Sequence, residues 1–299
     1  MKPRSGPRGL LACLRIAAGL VLTGALSVGV TPHADASSPR SCCSTTDRGG
    51  DSRCHPSFWV NDSIAPFELR RYSPSGALLD IVAVASPYFD IATNSNGSRL
   101  YALESGLPTR LDTVDPATGA VLSSVAISGV PATEFLNGLS RRADGMLLAG
   151  DASANTLYLI NPVTAVATVL PVSLAPGRSL AGDIITLRDH DLLAVDEDAA
   201  TESDEHLVRI HPDGSRTVVG HLPNGTGFYG LTVSGGRLFL AATNGAIYRL
   251  PAPPRAPSDR LLPLRQVVAP SAGLSWYGAA SVEDSGRTCG KQGRDHGGW

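Results

Sequence analysis

Asp90-Ile91-Ala92-Thr93, Asn96-Gly97, Leu100-Tyr101-Ala102-Leu103 and Leu111-Asp112-Thr113-Val114-Asp115-Pro116 follow one another over residues 90–116. The order is a short apolar strand, a turn pair that accepts positive φ, a second strand, and a third strand stopped by proline. Proline has no N–H for a sheet ladder and its fixed φ suits a turn, so the third strand ends there. The same order returns at Asn137, Asp144-Gly145, Met146–Ala149 and Leu157–Pro162, and again at Asp183, Asp189-His190, Leu192–Val195 and Leu207–Pro212. A weaker copy has Tyr229, Gly235-Gly236, Leu238–Ala241 and Ile247–Pro251, and a lone first strand starts at Tyr277. The five starts, Asp90, Asn137, Asp183, Tyr229 and Tyr277, are 47, 46, 46 and 48 residues apart.

Four antiparallel strands in such a period make one propeller blade, and blades bury their faces only by stacking around a channel. The expected fold is all-β: a β-propeller of five four-stranded blades, six being the alternative if two have been merged. The chain ends define how the ring closes. Phe58-Trp59-Val60, Leu69–Tyr72 and Ala77–Val84 supply second, third and fourth strands without a first, and Tyr277–Glu283 supplies a first strand without followers. Together they make a composite blade, so the propeller should occupy residues 58–283.

Residues 1–36 have the pattern of a signal peptide. Lys2, Arg4 and Arg8 precede an apolar stretch from Leu10 to Val30, and Ala34-Asp35-Ala36 is a small-x-small cleavage site. Cleavage near Ala36 implies a secreted, extracellular protein. Residues 37–57 read as a flexible Cys-containing segment and 284–299 as a C-terminal tail. Cys54 precedes the first strand and Cys289 follows the last, so a Cys54–Cys289 disulfide is expected to clasp the composite blade. The pairing of Cys42 and Cys43 is left open. After cleavage, 21 basic side chains face 26 acidic ones, a balance that disfavours a nucleic-acid partner. No stretch beyond the leader is long and apolar enough for stable membrane insertion. A monomer meeting an extracellular small molecule or protein is the expected behaviour.

Five-fold geometry should bring the starts of the inner strands to one axis, which nominates Asp90, Asn137, Asp183, Tyr229 and Tyr277, with Glu134 on the approach, as a ligand-binding set at the channel mouth. Asp90, Asn137 and Asp183 also offer the oxygen ligands a hard cation such as Ca²⁺ requires. Wet polar residues that merely cap strand ends are the competing explanation. The acidic run from Asp196 to Glu205 reads by default as a solvated loop, the alternative being a cation site or a rim that selects a basic partner, since loops of this class open onto the entry face of a propeller. Gly225-x-Gly227-x-x-Gly230 precedes a strand rather than a helix, so it lacks the context of a dinucleotide site. Asp189-His190-Asp191 fits a solvated turn. No nucleophile-elbow or zinc-protease motif is present, and no catalytic residue can be assigned.

The Asp115-Pro116-Ala117-Thr118-Gly119 turn, the His211-Pro212-Asp213-Gly214 turn and the Leu-Tyr strands at 100–103 and 157–160 resemble the broad group of secreted bacterial propellers with NHL-, YVTN- and SMP-30-like repeats. Many members of that group have no assigned function. The resemblance implies two functions: non-catalytic binding at the central-channel face or, alternatively, divalent-cation-dependent hydrolysis, lactonase-like before glycosidase-like. In the lactonase-like members Glu, Asn and Asp hold a channel cation. Asp90, Asn137 and Asp183 match those residue types, whereas Tyr229 and Tyr277 depart from them.

Overall fold

The structure, a computed structural model, describes residues 56–152, 156–187 and 189–285. Twenty strands make five four-stranded antiparallel sheets arranged as a five-bladed β-propeller. Blade 1 joins the chain ends: β20 (Trp276–Ala280), β1 (Phe58–Asp62), β2 (Glu68–Tyr72) and β3 (Leu78–Ala83), from the inside out. Blade 2 is β4 (Tyr88–Thr93), β5 (Leu100–Glu104), β6 (Arg110–Val114) and β7 (Val121–Ala126). Blade 3 is β8 (Leu136–Arg141), β9 (Leu147–Asp151), β10 (Thr156–Ile160) and β11 (Ala167–Ser173). Blade 4 comprises β12 (Arg178–Thr186), β13 (Leu192–Asp198), β14 (Ser203–Ile210) and β15 (Arg216–His221). Blade 5 comprises β16 (Phe228–Ser234), β17 (Arg237–Ala242), β18 (Ile247–Leu250) and β19 (Arg265–Val268).

The blade count and the composite closure agree with the sequence reading. β1 pairs antiparallel with β20, matching Trp59 with Ala280 and Val60 with Ala279. Strand alternation explains why both faces of a blade are apolar: successive side chains point to opposite neighbours. Phe58 and Val60 pack toward Phe239 of blade 5, while Trp59 packs toward Tyr88 and Ile91 of blade 2. The same division separates the described core into clusters lying between adjacent blades, such as Leu148 and Leu157 against Leu180 and Ile184, or Val195 and Leu207 against Phe228 and Leu231. At the closing joint Phe58 stacks on Phe239 with ring centroids 4.5 Å apart. Hydrophobic burial at these joints is the main force holding blade to blade.

The connection from β18 to β19 is long and runs back to blade 4. Ser258 N–H donates to Val218 O, His221 N–H to Arg260 O, and Leu262 N–H to His221 O. It thereby covers the free edge of β15, which would otherwise offer unpaired backbone groups. The expected export leader, both ends of the expected Cys54–Cys289 pair, and Cys42 and Cys43 lie outside the described residues.

Candidate functional site

Each inner strand approaches the axis closely, and side-chain volume is restricted there. A Cβ on Gly182 would fall 2.1 Å from Tyr229 O, and one on Gly278 would fall 2.0 Å from Asp90 Oδ1. No side chain fits at such separations, so glycine at these positions sets how tightly the ring closes.

A register irregularity near the start of each inner strand determines which residues are equivalent. Phe89 in blade 2, Asn137 in blade 3, Tyr229 in blade 5 and Tyr277 in blade 1 each occupy the extra position. Blade 4 has a wider irregularity between Leu180 and Ile184. Pairing then places Asp90 level with Gly138, Asp183, Gly230 and Gly278. Asp90 and Asp183 therefore sit one residue beyond Asn137, Tyr229 and Tyr277. The sequence spacing put all five at one level because a bulge adds a residue without disturbing the repeat length.

Asp90 and Asp183 are fully buried and make the same pair of bonds. Asp90 Oδ1 accepts from Ile91 N–H at 2.7 Å and Oδ2 from Leu139 N–H of blade 3 at 2.8 Å. Asp183 Oδ1 accepts from Ile184 N–H at 2.7 Å and Oδ2 from Leu231 N–H of blade 5 at 3.1 Å. Each carboxyl thus ties an inner strand to the next blade. Asn137 does related work through its amide, donating to Ala181 O of blade 4 at 3.0 Å. Below them Asp284 is also buried, and accepts from Thr232 Oγ1, Val233 N–H and Ser281 N–H. Burial pushes the Asp284 carboxyl up to about 7. Burial likewise raises Asp90 and Asp183 well above the ordinary carboxylate range, with Asp90 and Asp284 adding to the rise at Asp183.

The channel mouth is lined differently. Tyr229 and Tyr277 contact each other across blades 5 and 1, with centroids 5.3 Å apart, and Phe89 meets Phe135 edge-on at 4.1 Å across blades 2 and 3. Tyr158 donates to Glu134 Oε2, which fixes Glu134 at the rim of blade 3. Carboxyls close the second strands around the ring. Asp62 accepts from Ser275 N–H at 3.0 Å, and Asp151 from Phe135 N–H at 3.0 Å, each capping the start of an inner strand. The inner strand of blade 5 is capped from the neighbouring blade instead: Glu205, on the third strand of blade 4, accepts from Phe228 N–H at 2.9 Å through Oε1.

Glu205 Oε2 is buried with no hydrogen-bond partner. Beside it Glu197 is 8% exposed, and burial followed by repulsion from Glu205 and Glu202 pushes its carboxyl up to about 7. The Tyr229 phenol is raised chiefly by its own burial and next by Glu197. The mouth therefore holds two neighbouring buried carboxyls, one with an oxygen that has no donor, against an aromatic pair. The sequence reading took residues 196–205 as one acidic loop, whereas β13 runs to Asp198 and β14 starts at Ser203, and it did not single out Glu197 or Glu205. A usable signal was present: Asp62, Glu104, Asp151 and Asp198 end the second strands in four of the five blades.

The class defined by this fold and channel is the five-bladed β-propeller. No protein-family model matches the chain, and no curated protein does. Among solved structures, one similar chain is a protein of unknown function from Bacteroides caccae, with 13% identity and a TM-score of 0.42, covering 74% of this chain and 77% of that one. Another, of unknown function from Bacteroides thetaiotaomicron, has 15% identity and a TM-score of 0.46, covering 64% of this chain and 52% of the other. A virginiamycin B lyase from Staphylococcus aureus has 11% identity and a TM-score of 0.39, covering 75% and 69%. The propeller assignment rests on the strand pairing itself.

Proposed function

We propose that this protein is a non-catalytic binding propeller whose channel mouth receives an organic cation, either a free small molecule or a basic side chain of a partner protein. The supporting observation is the Glu197–Glu205 pair. A buried carboxyl oxygen without a donor and a neighbour held partly protonated are both improved by an incoming ammonium or guanidinium. The Tyr229–Tyr277 pair adds faces on which such a group gains cation–π attraction. The surrounding Asp62, Glu104 and Asp151 add negative potential that favours the same charge.

The test is ligand-observed NMR with arginine methyl ester and tetramethylammonium as probes and glucose as the neutral control. Binding of either cation, weakened at least tenfold in Glu197→Gln/Glu205→Gln, supports the reading. Binding of neither, or binding unaffected by the substitutions, overturns it.

A second reading concerns the axis. Three buried carboxyls, Asp90, Asp183 and Asp284, are each raised chiefly by burial, and a hard cation such as Ca²⁺ would allow them to ionise. Asn137 would contribute its side-chain oxygen. Under this reading Ca²⁺ raises the melting temperature at pH 8, and Asp183→Asn removes the effect. Absence of a calcium-dependent shift refutes it.

A further inference from the structure

Away from the channel, strand pairing in blade 4 sets three polar side chains in one row. His221 of β15 lies opposite His206 of β14, and His206 lies opposite Asp196 of β13. Directly opposed residues share a sheet face, and a residue two positions along the strand shares it too, which adds Asp204. The alternation also separates this group from Glu205, whose side chain goes the other way to cap Phe228. Asp204, the second residue of β14, has φ of 57° and is exposed.

The resulting geometry is compact. The ligand-capable atoms of Asp204, His206 and His221 all lie within 4.8 Å of one another. His206 Nε2 is 3.2 Å from Asp204 Oδ2, and His221 Nδ1 is 3.8 Å from Asp204 Oδ1. Tetrahedral zinc with bonds near 2.1 Å separates its ligand atoms by roughly 3.4 Å, so these distances bracket the need. The imidazole rings stand edge to face with centroids 4.3 Å apart.

Two further observations point to a ligand. His206 Nε2 is buried and makes no hydrogen bond, despite its nearness to Asp204. A cavity of about 630 Å³ lies beside the two histidines, lined in part by His206, His221, Thr217, Pro257, Ser258 and Asp259. Its far wall is the β18–β19 connection that covers β15.

We infer that Asp204, His206 and His221 form a two-histidine, one-carboxylate site for a borderline divalent metal, zinc being the best match, with an open position facing the cavity. Imidazole nitrogen with a single carboxylate suits such ions better than calcium or magnesium, which take oxygen. Asp196 Oδ1, 3.4 Å from His206 Nδ1, is placed to receive the Nδ1–H that remains when Nε2 binds metal.

Arg178 competes with that arrangement. Its Nη2 lies 3.0 Å from His206 Nδ1, and a guanidinium only donates, so in this pose the ring proton sits on Nε2. The same group keeps Asp196 Oδ1 at 2.7 Å and Asp204 O at 2.5 Å, bonds that do not need the imidazole. Metal loading therefore moves the ring proton to Nδ1 and displaces Arg178 from it.

The test is zinc titration of chelator-treated, untagged full-length protein against a chromophoric chelator, followed by cobalt absorption spectroscopy. One zinc per chain is expected, with affinity falling at least tenfold in His206→Gln, His221→Gln and Asp204→Asn, and unchanged in His211→Gln. Arg178→Gln is expected to tighten binding. The cobalt protein should show d–d bands without a thiolate charge-transfer band, which separates this site from the cysteines. Circular dichroism identifies any variant that fails to fold, and the remaining variants then carry the decision. Absence of stoichiometric binding, equal binding in the site variants, weaker binding in Arg178→Gln, or a thiolate band overturns the assignment.

Discussion

Two sets of buried carboxyls lie along the channel of this propeller, and they are satisfied to different degrees. At the axis, Asp90 and Asp183 each have one oxygen on their own strand and the other on the next blade. At the mouth, Glu205 has one oxygen engaged and one without a partner, with the buried Glu197 carboxyl beside it. Burial is comparable, so burial alone does not mark a binding residue. Unused hydrogen-bonding capacity does, because an incoming group can still improve it.

This contrast can be broken most directly at the axis. Asp183→Ala leaves the Ile184 and Leu231 N–H groups buried without acceptors and is expected to cost about 4 kcal/mol in urea denaturation. A cost below 1 kcal/mol would remove the structural half of the comparison. Gly182→Ala comes next, at about 3 kcal/mol, since its Cβ meets backbone rather than a flexible side chain.

Acidity sharpens the contrast further. A carboxyl raised in the folded state retains its proton longer there than in the unfolded chain. Its contribution is therefore complete below the unfolded value of 3.8 and is lost as pH rises toward about 7, the position of Asp284. In metal-free buffer the wild type should lose on the order of 2 kcal/mol between pH 4 and pH 7, and Asp284→Asn should show a shallower slope in pH-dependent denaturation. The smallest stability effect belongs to the mouth. Glu197→Gln should change unfolding free energy by less than about 1 kcal/mol while still weakening cation binding in the NMR titration. A large stability loss there would make Glu197 another structural staple.

Most of the architecture was legible because it depends on local chemistry repeated at a fixed interval. Proline after Val114, Ile160 and Ile210, and turn pairs such as Asn96-Gly97 and Asp144-Gly145, mark strand ends directly. The unpaired strands at the two ends were enough to reveal the composite blade. The site was less legible for two physical reasons. Bulges displace Asp90 and Asp183 by one residue from Asn137, Tyr229 and Tyr277, which exchanges a channel-mouth position for a buried inter-blade bond. Glycine offered the missing cue, since Asn137-Gly138, Tyr229-Gly230 and Tyr277-Gly278 place a small residue where Asp90 and Asp183 stand. The His206–His221 pair was hidden for another reason. The histidines lie 15 positions apart in sequence and meet only because β14 and β15 pair in that particular register.

The joining of β20 to β1 has a consequence for how the molecule is made. Asp62 accepts from Ser275 N–H across 213 positions of sequence, so the first sheet lacks its innermost member until β20 has emerged. Contacts of such separation slow folding, and until they form β1 presents a bare, pairing-competent margin. A prematurely terminated chain would keep that margin permanently. The seam therefore ties closure of the ring to the synthesis of β20, the strand that covers β1.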